Sequence, residues 1–143
     1  MTEQLSRGGA TGIPAAVLAL LGGLFHLVGV AGGAVLLAGD GNLAHALLTF
    51  LLHLIVAGTL ITGGVGLLLA KSFGRAFTIT GAILALLLYL AVLVLGAFGI
   101  YFLGLADGTI PVGYTAVLCL PAATTLVLAS LPATARWVTG GWS

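Results

Sequence analysis

The charged residues of this chain are so few that they divide it into four long apolar stretches. Of 143 residues, 61% are hydrophobic and only 5% are charged, whereas a soluble domain carries about 25% charged residues. About 20 apolar residues in a helix cross the hydrocarbon core of a bilayer. The stretches cover residues 13–37, 43–70, 76–103 and 113–135. We therefore predict that residues 1–143 form one all-α integral membrane domain, a four-helix bundle with four transmembrane spans.

The positions of the basic residues predict how these spans are oriented. All four basic residues precede the first span, lie between the second and third spans, or follow the fourth span. Asp40 and Asp107 mark the two remaining loops. Because positively charged loops stay in the cytoplasm, we expect two antiparallel hairpins with both termini cytoplasmic. A bacterial-type cytoplasmic (inner) membrane is the expected location. The basic residues are Arg7, Lys71, Arg75 and Arg136.

Turn-forming residues and prolines mark where the helices should begin, end or bend. Residues 38–42 and 71–75 are rich in turn formers and should connect the spans tightly. Pro14 is expected in the first turn of span one, where its missing N–H costs no hydrogen bond. Pro121 lies inside span four and predicts a kink there. Trp137 follows the last span and is expected at the inner membrane interface.

Small residues recur at helical spacing and predict close packing between helices. In span one, three glycines share a stripe with His26 at spacings of four, three and four residues. Two of them, Gly29 and Gly33, form the small-xxx-small pattern that lets helix backbones approach closely in lipid. The predicted helix-packing positions are Gly22, Gly29, Gly33, Gly64 and Gly96.

The histidines are the candidate site residues, because an ionisable side chain at membrane depth is costly and usually functional. His26 lies fourteen residues before Asp40 and His53 thirteen residues after it. In an antiparallel hairpin the two imidazoles therefore reach the same depth. Such a pair can form a hydrogen bond, pass a proton, or ligate a metal or a b-type haem.

A second pattern places three polar residues of span two on one helical stripe. His45, Thr49 and His53 follow each other at spacings of four, and this polar stripe should face protein, not lipid. His45 is close to the outer interface and is expected to be hydrated. Tyr89 in span three also needs a hydrogen-bond partner, for which a backbone carbonyl is more common than a histidine.

The distance between packed helices favours one interpretation of the histidine pair over the others. Helices that share a small-residue interface pack about 8 Å apart, which is narrower than a haem between two ligands requires. Hydrogen-bonded, structural histidines are therefore the leading interpretation. A b-type haem held by His26 and His53 is the alternative, and otherwise no cofactor is expected.

Missing features limit the function. No acidic or basic side chain lies within a span, and no nucleotide-binding or metalloprotease motif is present. A net charge of +1 offers no surface for nucleic acid, and a single cysteine, Cys119, excludes an internal disulfide.

We expect a non-enzymatic membrane protein that contacts membrane lipids. It would be a self-assembling structural protein (a homo-oligomer) or an accessory subunit of a larger membrane complex. One alternative is a haem-binding or redox membrane subunit that uses His26 and His53. Another is a small oligomeric pore lined by His45 and Thr49.

Overall fold

In the computed structural model, which describes residues 2–39, 42–99 and 112–140, all regular structure is helical. The helices are α1 (Thr2–Ala38), α2 (Leu43–Leu68), α3 (Ser72–Ala97), α4 (Val112–Ser130) and α5 (Pro132–Thr139). Four segments are long and apolar enough to cross a membrane: Gly9–Ala38, Leu43–Leu68, Ser72–Ala97 and Gly113–Ser130. They indicate a multi-pass membrane protein built as a helix bundle, as predicted.

Two helix ends differ from the sequence-based expectation. Helix α1 already begins at Thr2, so Pro14 lies in its interior and not in the first turn. Hydropathy predicts where the chain leaves the hydrocarbon core of the membrane. A helix can continue beyond that boundary into polar residues. The fourth predicted stretch breaks after Ser130, and α5 begins with Pro132, a residue suited to a helix start. The predicted loop residues Asp40 and Asp107 and the predicted end of span three, residues 100–103, lie outside the described residues.

Side chains satisfy the backbone at two helix ends. The Asn42 side chain accepts a hydrogen bond from the backbone N–H of His45 at 3.2 Å and so caps the start of α2. At the end of α4, the Arg75 guanidinium donates to the carbonyls of Ala129 (2.9 Å) and Ser130 (3.2 Å). A cation at this position also complements the negative end of the helix dipole. Arg75 thereby ties the start of α3 to the end of α4.

The short helix α5 folds back onto α1 and the end of α2. Trp137 Nε1 donates to the carbonyl of Leu67 at 3.0 Å. The hydroxyl of Thr134 is fully buried and lies 2.6 Å from the carbonyl of Leu128 and 2.8 Å from the hydroxyl of Thr11. Because Thr134 gives its single proton to the carbonyl, Thr11 is the donor to Thr134. Polar contacts at Thr134 and Trp137 therefore hold α5 against the rest of the bundle.

Glycines bring α1 and α2 into close contact. A Cβ atom added at Gly23 would lie 2.6 Å from Ile61 Cγ1, and one at Gly33 would lie 2.7 Å from the backbone of Phe50. Contact positions rise along α1 while they fall along α2, so the contacts run in opposite chain directions. A larger residue at Gly33 would require the α2 backbone to move, and one at Gly23 would require the Ile61 side chain to move, which is the close packing that small residues permit in lipid.

Helices α2 and α3 approach through their backbones. A Cβ atom at Gly63 would lie 2.5 Å from the backbone nitrogen of Thr78, and one at Gly66 would lie 2.6 Å from Gly74 Cα. Backbone atoms cannot yield as a flexible side chain can. This contact therefore fixes the start of α3 against the end of α2.

The other predicted packing glycines differ in their surroundings. A Cβ atom at Gly22 would lie 3.3 Å from Leu60 Cδ1, and one at Gly64 would lie 2.8 Å from Leu20 Cγ. A Cβ atom at Gly96 would meet no atom of the described residues within 4 Å. Gly96 therefore makes no close helix contact in the described part of the chain.

Helix α4 completes the bundle, because it packs against both α3 and α1. Pro121 lies within α4, while the kink inferred from it stays a prediction. The buried core consists mainly of small side chains, which is why four helices of this length pack closely. The core residues shared between helices include Ala15, Ala16, Ala19, Ala82, Ala85 and Ala129, with Val56, Leu60, Leu67 and Leu88 as larger members.

Candidate functional site

The two histidines that the sequence places at one depth form a direct hydrogen bond. His26 Nδ1 on α1 lies 2.8 Å from His53 Nδ1 on α2, and the ring centroids are 5.0 Å apart. His26 is almost completely buried, with 1% of its surface exposed, and His53 is half-buried. Near-equal sequence distances from the turn between α1 and α2 thus correspond to a side-chain contact.

Tyr89 on α3 extends this pair into a chain of three side chains. Its hydroxyl lies 3.1 Å from His26 Nε2, and the two rings stack with centroids 5.7 Å apart. The sequence left a carbonyl or a histidine open as the partner of Tyr89, and the partner is the histidine. We call Tyr89, His26 and His53 the Tyr–His–His chain.

The chemistry of imidazole assigns the protons in this chain. An unpaired charge at membrane depth is costly, so both imidazoles are taken as neutral, with one N–H and one acceptor nitrogen each. Within the described residues, the Tyr89 hydroxyl has no other hydrogen-bond partner. Its proton is therefore satisfied only if it donates to His26 Nε2. His26 then carries its proton on Nδ1 and donates to His53 Nδ1, which leaves the proton of His53 on Nε2.

Gly29 provides the space in which the His53 ring lies. A Cβ atom at Gly29 would lie 2.5 Å from Cγ and Nδ1 of His53. Gly29 is one helical turn after His26, so the same face of α1 supplies both the hydrogen-bond partner and the gap. The glycine stripe of span one therefore serves the histidine site as well as helix packing.

The other two residues of the polar stripe are not members of the Tyr–His–His chain. Thr49 is 3% exposed, and its hydroxyl has no hydrogen-bond partner among the described residues. His45 is half-buried at the start of α2. A residue that lines a pore between subunits would be exposed in a single copy, so the burial of Thr49 does not favour the pore alternative.

The geometry of the histidine pair does not fit a haem. Metal–nitrogen bonds of about 2 Å on opposite sides of an iron would hold the two ligating nitrogens about 4 Å apart, with the porphyrin between them. The two Nδ1 atoms are 2.8 Å apart and share a proton, and His26 Nε2 is occupied by Tyr89. Within the described residues, no group of three His, Cys, Asp or Glu side chains could hold a metal ion.

A cavity of about 210 Å³ adjoins the Tyr–His–His chain. It lies between α1, α3 and α4, and Leu60 of α2 also belongs to its wall. Its wall is apolar apart from His26, Tyr89 and Thr125, and the Thr125 hydroxyl donates to the carbonyl of Pro121 at 2.7 Å. Sequence reasoning did not predict this cavity, because its small wall residues read as ordinary packing positions.

No protein-family model, curated protein or solved structure matches this chain.

Proposed function

We propose that this protein is a non-enzymatic multi-pass protein of a bacterial-type cytoplasmic membrane. It assembles through its outer helix faces, with copies of itself as a structural protein or with other subunits as an accessory component of a larger complex. Its helices form two antiparallel hairpins with both termini in the cytoplasm. The opposite direction of the α1–α2 contacts and the positions of the basic residues support this arrangement.

Glycines on the outer surface are the observation that carries the assembly proposal. Cβ atoms added at Gly32 on α1, Gly58 on α2 and Gly96 on α3 would meet no described atom within 4 Å. A glycine that faces lipid weakens a helix and contributes no packing. The same residue at a helix–helix interface lets a second backbone approach closely. Gly32 and Gly58 are also exposed, so the outer faces of α1 and α2 have the composition of contact surfaces.

The glycine pair that the sequence most strongly associates with assembly is used within the chain. Gly29 faces His53 and Gly33 faces Phe50, both on α2 of the same molecule. Substitutions at these two positions would disturb the bundle itself. Gly32 and Gly58 are the positions at which assembly is tested without changing internal contacts.

Native mass spectrometry of the particle extracted in mild detergent from its own membrane tests the proposal. We expect a mass equal to a whole multiple of the chain, or a mass that includes other polypeptides. The double variant Gly32→Leu, Gly58→Leu should lower the fraction of assembled particle, because the added side chains separate the backbones. Leu87→Ile on the exposed face of α3 is the matched control and should assemble normally. A monomer mass for the unmodified protein would contradict the proposal.

A further inference from the structure

The cavity beside the Tyr–His–His chain opens between α1 and α4. Leu21 is 58% exposed, Phe25 is 40% exposed and Pro121 is also exposed, and all three belong to the cavity wall. His26 and Tyr89 belong to the same wall but are 1% and 9% exposed, so they lie at its inner end. A molecule dissolved in the hydrocarbon would therefore enter past apolar side chains and reach a polar end.

The volume and the wall limit the size and polarity of what fits. An apolar protein cavity of about 150 Å³ takes up benzene, so about 210 Å³ accommodates one aromatic ring with a short alkyl substituent. The wall offers no charged side chain. The ligand class is therefore uncharged, lipophilic and single-ringed.

The proton positions in the Tyr–His–His chain decide which polar group such a ligand should carry. The Tyr89 hydroxyl donates to His26 Nε2, so its oxygen keeps a free lone pair and is an acceptor. Both ring nitrogens of His26 are already occupied. A ligand that donates one hydrogen bond is complementary to this end of the cavity, whereas a ligand that only accepts finds no free donor.

We infer that the cavity between α1 and α4 binds a small lipophilic phenol, whose ring fills the apolar space and whose hydroxyl donates to Tyr89. This inference goes beyond the proposed assembly function and does not depend on it. Binding takes place within one chain, so the mass measurement and the binding measurement fail or succeed separately.

Histidine ring ¹⁵N NMR of the full chain in lipid nanodiscs tests the inference with 4-ethylphenol as the probe. Saturable binding should shift the ring nitrogens of His26 and His53, while His45 outside the cavity reports general partitioning into lipid. Two probes of similar shape but without a donor, 4-ethylanisole and ethylbenzene, should bind about tenfold more weakly, the factor expected for one lost hydrogen bond.

Two protein variants test separately how the cavity volume and the hydrogen bond to Tyr89 contribute to binding. Ala122→Phe fills the cavity and should abolish saturable shifts with every probe, whereas Ala116→Phe on the exposed side of α4 should leave them unchanged. Tyr89→Phe removes the hydroxyl acceptor but frees His26 Nε2, so 4-ethylphenol should then shift that nitrogen directly and more strongly than it does in the unmodified protein.

Equal binding of the three probes by the unmodified protein would overturn the role of the hydroxyl. Shifts that stay linear with concentration would overturn the site itself, as expected if a lipid acyl chain occupies the cavity. Both outcomes are read from the unmodified protein, so the inference is tested even if Tyr89→Phe does not fold.

Discussion

At the residue scale, Gly29 decides whether the two histidines can meet. The His53 ring occupies the volume that any larger side chain at position 29 would fill. Gly32, almost one turn further along α1, faces open space. A larger side chain should therefore destabilise the protein at position 29 and be tolerated at position 32.

We predict that Gly29→Ala destabilises the protein, because its Cβ must displace the His53 ring and weaken the 2.8 Å hydrogen bond to His26. Overpacking of this kind costs about 1–3 kcal/mol. Gly32→Ala should be neutral or stabilising by up to about 1 kcal/mol, the helix-propensity difference. Unfolding by SDS titration in mixed micelles measures both changes. Equal stabilities of the two variants would show that the His53 ring does not depend on the gap.

The sequence was sufficient to predict the histidine pair but not its third member. Near-equal distances from one turn set the depths of His26 and His53 on two sequential helices. The partner of Tyr89 depends on which face of α3 turns inward, and α3 is apolar on nearly all faces. That rotation is fixed by the α2–α3 backbone contact at Gly66 and Gly74, which a hydropathy pattern does not reveal.

At the element scale, the end of the fourth span shows where hydropathy misses a helix boundary. Residues 131–135 are uncharged and continue the apolar stretch, so composition predicts one span through residue 135. Pro132 breaks it, and α5 turns back so that Trp137 reaches the end of α2. Pro132 was the available sequence signal, because a proline disfavours helical geometry at the residue before it.

We predict that Gly12→Ala displaces α5 from α1. The added Cβ would lie 2.7 Å from Trp137 Cδ1, and moving the indole breaks its hydrogen bond to Leu67. Gly9→Ala is the matched control, because its Cβ would lie 3.6 Å from the same ring, an ordinary contact. In a Trp142→Phe background, Trp137 fluorescence should shift to longer wavelength and become more accessible to acrylamide in Gly12→Ala only. An unchanged spectrum would show that α5 does not depend on this contact.

At the scale of the whole molecule, composition predicted four apolar helices, whereas their mutual contacts required the structure. Charge spacing alone separates the apolar stretches. Many small side chains that look alike in the sequence determine which helix faces meet. They also determine where the cavity between α1 and α4 lies. The orientation of the bundle in the membrane stays a prediction from the basic residues.

We predict that the start of α2 and the start of α3 lie on opposite sides of the membrane. In a Cys119→Ala background, Leu43→Cys at the exposed start of α2 should react with a membrane-impermeant maleimide in intact cells. Ser72→Cys at the exposed start of α3 should react only after the cells are permeabilised. The opposite labelling pattern would place both termini outside.

The two hydrogen bonds of the Tyr–His–His chain can be donated in either direction. Because both bonds involve the neutral His26 ring, which has one donor and one acceptor nitrogen, they must reverse together. In the reversed polarity, His53 donates to His26 and His26 donates to Tyr89. Reaching it moves the hydroxyl proton of Tyr89 to His26 and the Nδ1 proton of His26 to His53. Tyr89 must then take up one proton while His53 releases one from Nε2. Reversal therefore requires a proton donor in the cavity beside Tyr89 and a proton acceptor at His53 Nε2, and because the described cavity wall supplies no free donor, the two bonds keep their polarity unless a bound molecule donates one.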